Sequence, residues 1–422
     1  MQLPRRPVVV GGNRTPFAKA GGAYASASNS DLLAAALDGL AARFGLAGRR
    51  LDEVAAGAVL KHARDFNLTR EAVLSSALAP TTPAVDLQQA CGTGLEAVVY
   101  IANKIALGQA DVGVGGGVDS ASDAPIAVSE GYRRALLAAN RARTLPAKLK
   151  AFARIRPGDL APVAPQVIEP RTGLSMGQHQ ARTTAAWGVT REAQDALAAA
   201  SHHNLATAWD SGFFDDLVTP YLGVTKDNVL RPDTSLEKLA ALRPVFGDTM
   251  TAGNSTALTD GAAVVLVADE AWAQGQGLPT LARVVDAQVA AVDHTSGDDL
   301  LLAPAHAVAR LLARQGMALG DFELYEVHEA FASTVLATLA AWESDAWCRE
   351  RLELDGPLGS IDRSRLNVNG SSLAAGHPFA ATGGRIVATL AKLLHERGAG
   401  ARGLVSVCAA GGQGVVAILE AV

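Results

Sequence analysis

Asp86-Leu-Gln-Gln-Ala-Cys91-Gly-Thr-Gly-Leu-Glu96, an apolar helical run to Leu107, and then Asp111-Val-Gly-Val-Gly-Gly-Gly117 form the stretch on which the fold turns. A strand-like approach reaches a glycine-flanked cysteine, a helix follows, and a glycine-ended strand closes the unit. The order recurs in the second half of the chain. Gly376-His377-Pro378 leads into a helix, and Leu404-Val-Ser-Val-Cys408-Ala-Ala-Gly-Gly412 follows as a strand. Two units of one design suggest two similar lobes facing each other.

Outward from these units, short β-branched runs alternate with Ala/Leu-rich runs. Val8-Val9-Val10, Val112 to Val114, Val264 to Val267 and Leu404 to Val407 read as buried strands. Asp31 to Phe44, Gly94 to Leu107, Thr190 to Trp209 and Gly383 to Leu394 have apolar positions every three to four residues and read as helices. Ser30 or Asp31 is the expected N-cap of the first. The alternation predicts an α/β fold with largely buried sheets. Residues 121–250 carry frequent Pro and Arg and few strand signals, which predicts an inserted, loop-rich domain. Within it, Gly131 to Gly158 holds Arg133, Arg134, Arg141, Arg143, Lys148, Lys150, Arg154 and Arg156 and no acid.

Composition narrows the class. A chain of 422 residues, 49% hydrophobic and 19% charged, is neither disordered nor short of core. The net charge of −5 gives no global nucleic-acid footprint. Three cysteines cannot build a disulfide framework, and no C-x-x-C pair is present for zinc or redox work. The apolar N-terminal run is too short for a signal segment, and the stretch from Leu404 to Val422 is interrupted by glycines, Gln413 and Glu420, so it reads as buried sheet. A soluble cytoplasmic enzyme is the expectation, with no metal and no cofactor.

Four residues could carry chemistry. Cys91 at a helix N-terminus would feel the positive end of the dipole, which favours thiolate; a small buried core cysteine is the plain alternative. His377, bracketed by Gly and Pro, is a candidate base for a thiol or a loop-satisfying histidine. His328, in Tyr325-Glu-Val-His-Glu-Ala-Phe331, lacks the second histidine of H-E-x-x-H because position 332 is Ala, so it is no zincin; a helix-cap role is the alternative. Cys408 ends a strand at a glycine-rich loop whose N–H groups could serve an oxyanion, or is a core cysteine beside packing glycines. Cys348 has no reactive context. The remaining histidines, His62, His179, His202, His203, His294, His306 and His395, read as mostly surface or capping residues.

Together these motifs resemble the thiolases over nearly the whole chain. The resemblance rests on Arg14-Thr-Pro-Phe17, the Cys91 turn, Thr251-Ala-Gly-Asn-Ser-Thr256 with Thr259-Asp-Gly-Ala-Ala263, His328-Glu-Ala-Phe331, Gly376-His377-Pro378 and Cys408-Ala-Ala-Gly-Gly412. Most thiolases carry Asn at the position of His328 and a third glycine at Ala409 or Ala410. The His-Glu-Ala-Phe and Cys-Ala-Ala-Gly-Gly pair, with Leu300 to Ala305 and Ser344 to Trp347, is similar to the thiolase β subunit of the fatty-acid-oxidation trifunctional complex.

The resemblance implies a thiolase fold of two repeated α/β lobes, layered α-β-α-β-α, with residues 1–120 and 251–283 in one lobe, 284–422 in the other and 121–250 covering a coenzyme A cleft. It implies that Cys91 accepts the acyl group, that His377 deprotonates it, and that Cys408 moves the α-carbon proton of acetyl-CoA. His377 and a water on His328 would face one oxyanion, and the backbone N–H groups of Cys91 and Ala410 the other. It points to Met176, Arg231, Phe246, Thr256 and Phe331 for coenzyme A, a substrate here, and makes Ser175 and Lys238 departures from the commoner family residues. A homo-oligomer is the family expectation. A decarboxylating ketoacyl-synthase-type condensing enzyme and a non-catalytic thiolase-like acyl-CoA-binding subunit are the rivals. Cys408 argues against the first, since a carbanion made by losing CO2 needs no such base. For the basic run three readings compete: a solvated helical face, a site for CoA phosphates, and a docking surface for an anionic membrane or a hydratase–dehydrogenase α subunit.

Overall fold

The computed structural model describes residues 5–165, 168–297 and 299–422. The first half of the chain contributes strands β1 (Pro7–Arg14), β2 (Ala18–Lys19), β3 (Glu53–Ala56), β4 (Ala84–Asp86) and β5 (Val112–Ser120), with helices α1 (Asn29–Phe44), α2 (Leu68–Ser75) and α3 (Thr93–Ala106). The segment after β5 holds α4 (Glu130–Arg141), α5 (Leu145–Phe152), α6 (Met176–Ala186), α7 (Arg191–Asp210), α8 (Leu236–Ala240) and the short pair β6 (Pro244–Phe246) and β7 (Met250–Thr251). Strand β8 (Thr259–Asp269) and helix α9 (Glu270–Gly275) follow. The second half supplies β9 (Ala282–Ala291), α10 (Ala303–Gln315), β10 (Leu324–Val327), α11 (Ala332–Glu343), α12 (Asp345–Leu352), α13 (Ser372–Ala375), α14 (Ala381–Arg397), β11 (Arg402–Ala409) and β12 (Gln413–Ala421).

The repeat inferred from the sequence is present in the pairing. In the first half β1 is antiparallel to β8, β8 antiparallel to β5, and β5 parallel to β3. In the second, β9 is antiparallel to β12, β12 antiparallel to β11, and β11 parallel to β10. Val8 and Val9 pair with Arg283 and Ala282, joining the halves into one ten-stranded sheet.

Strand periodicity makes the layers. In β8, Val265 and Val267 enter the central core while Val264 and Leu266 face the opposite side, against Leu32, Leu37 and Leu40 of α1. In β12, Val415, Ala417 and Leu419 enter the central core and Val416 and Ile418 pack with Val308, Leu311 and Leu312 of α10. Helices α3 and α14 fill the middle and contact strands of both halves. The order is therefore α1/α2, half-sheet, α3/α14, half-sheet, α10, the five layers that the resemblance implies. Strands that are apolar on both faces are what the continuous valine runs encode.

The two central helices cross at backbone contact. A Cβ on Gly94 would collide with the Ala380 carbonyl oxygen, and one on Gly383 with the Leu95 amide. The reactive turns lie at the N-terminal ends of these same helices.

Three expectations change. The N-cap of α1 is Ser28, not Ser30 or Asp31: Asp31 is the third helical residue, and its carboxylate accepts from the Ser28 N–H in a capping box. The segment 121–250 holds long loops but also, besides the expected α7, the helices α4, α5, α6 and α8; its prolines and arginines fall between and on these helices, where Pro146 occupies a first turn. His179 and His202 are buried, and His202 accepts the Arg231 N–H at 3.2 Å, so they are core groups instead of surface ones. Arg14 of the first family motif is structural. Its guanidinium is buried and bidentate to Asp227 at 2.6 and 2.8 Å, tying β1 to the segment after α7. Leaving one member of such a pair buried alone costs about 3–5 kcal/mol.

Candidate active site

Cys91 sits on the turn from β4 into α3. Ala90 before it takes a left-handed φ of 46°, a conformation that a non-glycine residue adopts at a cost and that turns the cysteine into the cleft. Thr93 fixes the turn: its hydroxyl accepts the Gln89 N–H at 2.8 Å and donates to the Ala90 carbonyl at 2.7 Å. Helix α14 brings the partner from the other half. Gly376 has φ 96°, and a Cβ there would lie 2.6 Å from the Thr259 methyl, so only glycine makes this turn. The His377 N–H donates to the Thr259 hydroxyl at 2.8 Å. The ring then stands with Nε2 3.2 Å from the Cys91 sulfur and Nδ1 2.6 Å from the Thr382 hydroxyl.

His328 caps the end of β10. Its N–H donates to the Ser406 carbonyl at 2.8 Å, and its ring lies 4.2 Å from that of His377. Nδ1 is 2.9 Å from the Ser372 hydroxyl, while Nε2 is buried with no partner among the described residues. Asn367 holds the strand end: its side chain accepts from the Val327 N–H and donates to the Val327 carbonyl, both at 2.9 Å, and donates to the Glu329 carboxylate at 2.8 Å. Cys408, at the end of β11, is buried against Leu300, Leu301 and Ala330, with Met176 and Phe331 beside them. The loop after it is pinned from the inserted segment, because the Gly411 N–H donates to the Glu169 carboxylate at 2.6 Å.

Burial sets the protonation states. It pushes the Cys91 thiol up to about 12, and the Ala410 N–H directed at the sulfur recovers only part of that. Burial thus works against the thiolate that the helix terminus favours. Burial, with the Cys91 thiol nearby as the next cause, raises Cys408 above the ordinary thiol range. His377 is lowered to about 3 by burial and then by Arg385; His328 falls well below its usual value by burial, then by His377 and Arg385. The resting site holds neutral thiols and neutral imidazoles. Such a pair moves its proton only as the sulfur attacks, which is general-base activation.

The structure thus brings together Cys91, His377, His328, Cys408 and the Ala410 amide. It also gathers four of the residues marked for coenzyme A. The Phe246 and Phe331 rings are 6.2 Å apart, Phe246 covers Gly177 beside Met176, and the Thr256 N–H donates to the Ala330 carbonyl next to Phe331 at 3.1 Å. Arg231 is exposed on the loop before α8, held there by its backbone bond to His202. Lys238 pairs with Asp233 at 2.5 Å. Cys348 is a buried packing residue whose thiol donates to the Ala341 carbonyl at 3.4 Å. The sequence reading missed Thr382, Ser372, Asn367 and Arg385. For Thr382 a signal existed, since a hydroxyl one turn into the helix after His377 can reach back to its ring. Among the described residues no group of three or more His, Cys, Asp or Glu could hold a metal ion.

Residues 7–271 match the family model for the thiolase N-terminal domain, and residues 278–421 the model for the thiolase C-terminal domain. The chain is 42% identical over 424 residues to the 3-ketoacyl-CoA thiolases of Yersinia pestis (strain Pestoides F) and Yersinia pseudotuberculosis (serotype IB), covering 98% of this chain and 97% of each relative. Among solved structures it is similar to the Bacillus anthracis acetyl-CoA acetyltransferase, with TM-score 0.83, 30% identity and all of both chains covered. It is also similar to human mitochondrial 3-ketoacyl-CoA thiolase in complex with CoA, with TM-score 0.81, 29% identity, and 100% of this chain and 99% of that chain covered. With its two lobes, its two site thiols and its two adjoining imidazoles, the chain belongs to the thiolase family.

Proposed function

We propose that the protein is an acetyl-CoA C-acyltransferase that cleaves 3-oxoacyl-CoA with CoA, giving acetyl-CoA and a shortened acyl-CoA. The observation that carries this reading is the 3.2 Å approach of His377 Nε2 to the Cys91 sulfur, with Cys408 and the Ala410 amide around the same atom. His377 Nε2 takes the thiol proton, and Nδ1–H donates to Thr382. The sulfur attacks the 3-oxo carbon, and the bond from that carbon to the α-carbon breaks. The leaving acetyl-CoA carbanion takes a proton from Cys408, whose raised pKa keeps it a thiol until then. The CoA thiol then gives its proton to the Cys408 thiolate and attacks the acyl-Cys91, and His377 returns its proton to the departing Cys91 sulfur, which restores both thiols and the neutral imidazole. His328 and His377 stabilise the enolate oxygen, and the Cys91 and Ala410 amides the acyl oxyanion. Incubation with 3-oxoacyl-CoA and CoA should give CoA-dependent loss of substrate. Turnover of malonyl-CoA instead would favour the decarboxylating rival, and no turnover the binding subunit.

For coenzyme A, Met176, Phe246, Thr256 and Phe331 form the pantetheine wall and Arg231 meets the nucleotide end. A cytoplasmic homo-oligomer remains our reading; for the oligomer, β4 ends the sheet among the described residues and offers an edge to a second copy.

The same proposal includes an anionic membrane surface as partner. All eight cations of the run are exposed, and so, within 126–160, are Ile126, Leu145, Leu149 and Leu160, each at least 61% accessible. A purely solvated face does not need these apolar groups, and together they suit an interfacial helical hairpin. Glu130 neutralises part of the charge through Arg133 and Arg134. Each cation near an anionic bilayer contributes about 1 kcal/mol, screened within about 10 Å at 0.1 M salt. Vesicles rich in phosphatidylserine should bind the protein at low salt and release it at high salt. Reversing Arg133, Arg134, Arg141 and Arg143 to Glu should abolish binding with KM for CoA unchanged. A rise in KM would assign the run to the substrate site, and binding only to an α subunit would assign it to that partner.

A further inference from the structure

The partner of His328 sits behind it, on the side away from the cleft. Arg385, on the second turn of α14, is buried at 3% exposure. Its Nη2 donates to the Ser372 hydroxyl at 3.0 Å and to the Ser371 hydroxyl at 3.1 Å. The Ser372 oxygen lies 2.9 Å from His328 Nδ1. These three groups are buried together, so their hydrogens cannot be shared out to solvent.

A guanidinium has no acceptor. Ser372 therefore accepts from Arg385, and its own proton is left to donate. Among the described residues, His328 Nδ1 is the acceptor within reach of it. If Nδ1 carried a proton instead, the serine hydroxyl would face two donors and leave its hydrogen buried and unpaired, which is the costly arrangement. We propose that Arg385, acting through Ser372, sets the tautomer of His328, so that Nδ1 is an acceptor and the proton is on Nε2, where it points into the cleft as a ready donor.

The orphaned Nε2 is the second observation. It is buried and has no hydrogen-bond partner among the described residues, as a donor kept for a substrate oxygen or its water would be. The groups facing the ring are the neutral His377 at 4.2 Å, Ser372, and Arg385 behind it. Burial and these two neighbours disfavour imidazolium, so tautomer choice is the remaining degree of freedom. Where most thiolases have an amide, which offers its N–H without a tautomer, a histidine needs this fixing. Arg385 and Ser372 are positioning residues, and the assignment rests on the reading of His328 as a donor in acyl transfer.

The test is nitrogen-15 NMR of the full-length enzyme labelled at histidine, with two-bond nitrogen–proton correlations at neutral pH and His328→Asn for assignment. The wild-type His328 ring should show the Nε2–H pattern. Ser372→Ala should populate the Nδ1–H form and lower kcat about tenfold, as loss of a supporting partner does, with KM for CoA unchanged. Ser372→Thr, which keeps the hydroxyl, should restore both. Arg385→Gln can accept as well as donate, and should also release the tautomer. An Nδ1–H pattern in wild type overturns the proposal, as does Ser372→Ala with wild-type kcat or an unchanged tautomer. The wild-type and Ser372→Ala spectra decide it even where Arg385→Gln does not fold. The tautomer is read in resting enzyme, so loss of the acyl-transfer reading through Cys91 variants leaves that measurement intact.

Discussion

Cys91→Ala is expected to remove thiolysis almost entirely, by on the order of 10⁴-fold or more, because a nucleophile and its base act as a unit. The 3.2 Å contact with His377 is lost, and no other thiol reaches that nitrogen among the described residues. The variant should still bind CoA, since Met176, Phe246 and Phe331, the pantetheine wall we propose, are untouched. Intact-mass spectrometry of wild-type enzyme after acetyl-CoA should show one acetyl group, and peptide fragmentation should place it on Cys91. An acetyl group on Cys348 or Cys408 overturns the assignment.

Cys408→Ala separates the two thiols. Acylation of Cys91 should survive, because His377 and the Ala410 amide remain in place. Exchange of the acetyl-CoA α-protons should fall by about 10²–10⁴-fold, the range for removing a positioned acid/base. Deuterium wash-in measures it directly. Wild-type exchange in this variant would show that the proton goes elsewhere and would reopen the decarboxylating reading, in which Cys408 has no task.

The four chemical residues were legible because each stands at a local singularity: glycine beside Cys91, Gly and Pro around His377, a strand-to-helix change at His328, glycines after Cys408. The strands were legible for a related reason, since valine runs with no polar alternation can only be doubly covered. What the sequence hid is whatever depends on depth. The helix-terminus argument for Cys91 is local, whereas the burial that opposes it depends on the other half, whose His377 ring and Ala410 N–H lie against the sulfur. Within 121–250 the periodicity of Thr190 to Trp209 was enough to show α7, but α4, α5 and α6 were obscured by arginines and prolines that look like loop composition until their caps are seen at Ser129, Thr144 and Ser175. The Arg385–Ser372 pair carries no spacing signal at all: Ser372 sits on a one-turn helix, and only the fold presents it to β10.

The crossing of α3 and α14 at Gly94 and Gly383 has a further meaning for how the enzyme varies. Sulfur and imidazole come from opposite halves of a duplicated chain, so neither copy contains a working pair. Their separation is inherited from how closely two helices in the middle layer approach. A methyl group added at that crossing touches no substrate, yet it widens the layer and with it the gap that a proton must cross. Reactivity here is a manufacturing tolerance of the core, held in part by two glycines with no chemistry of their own.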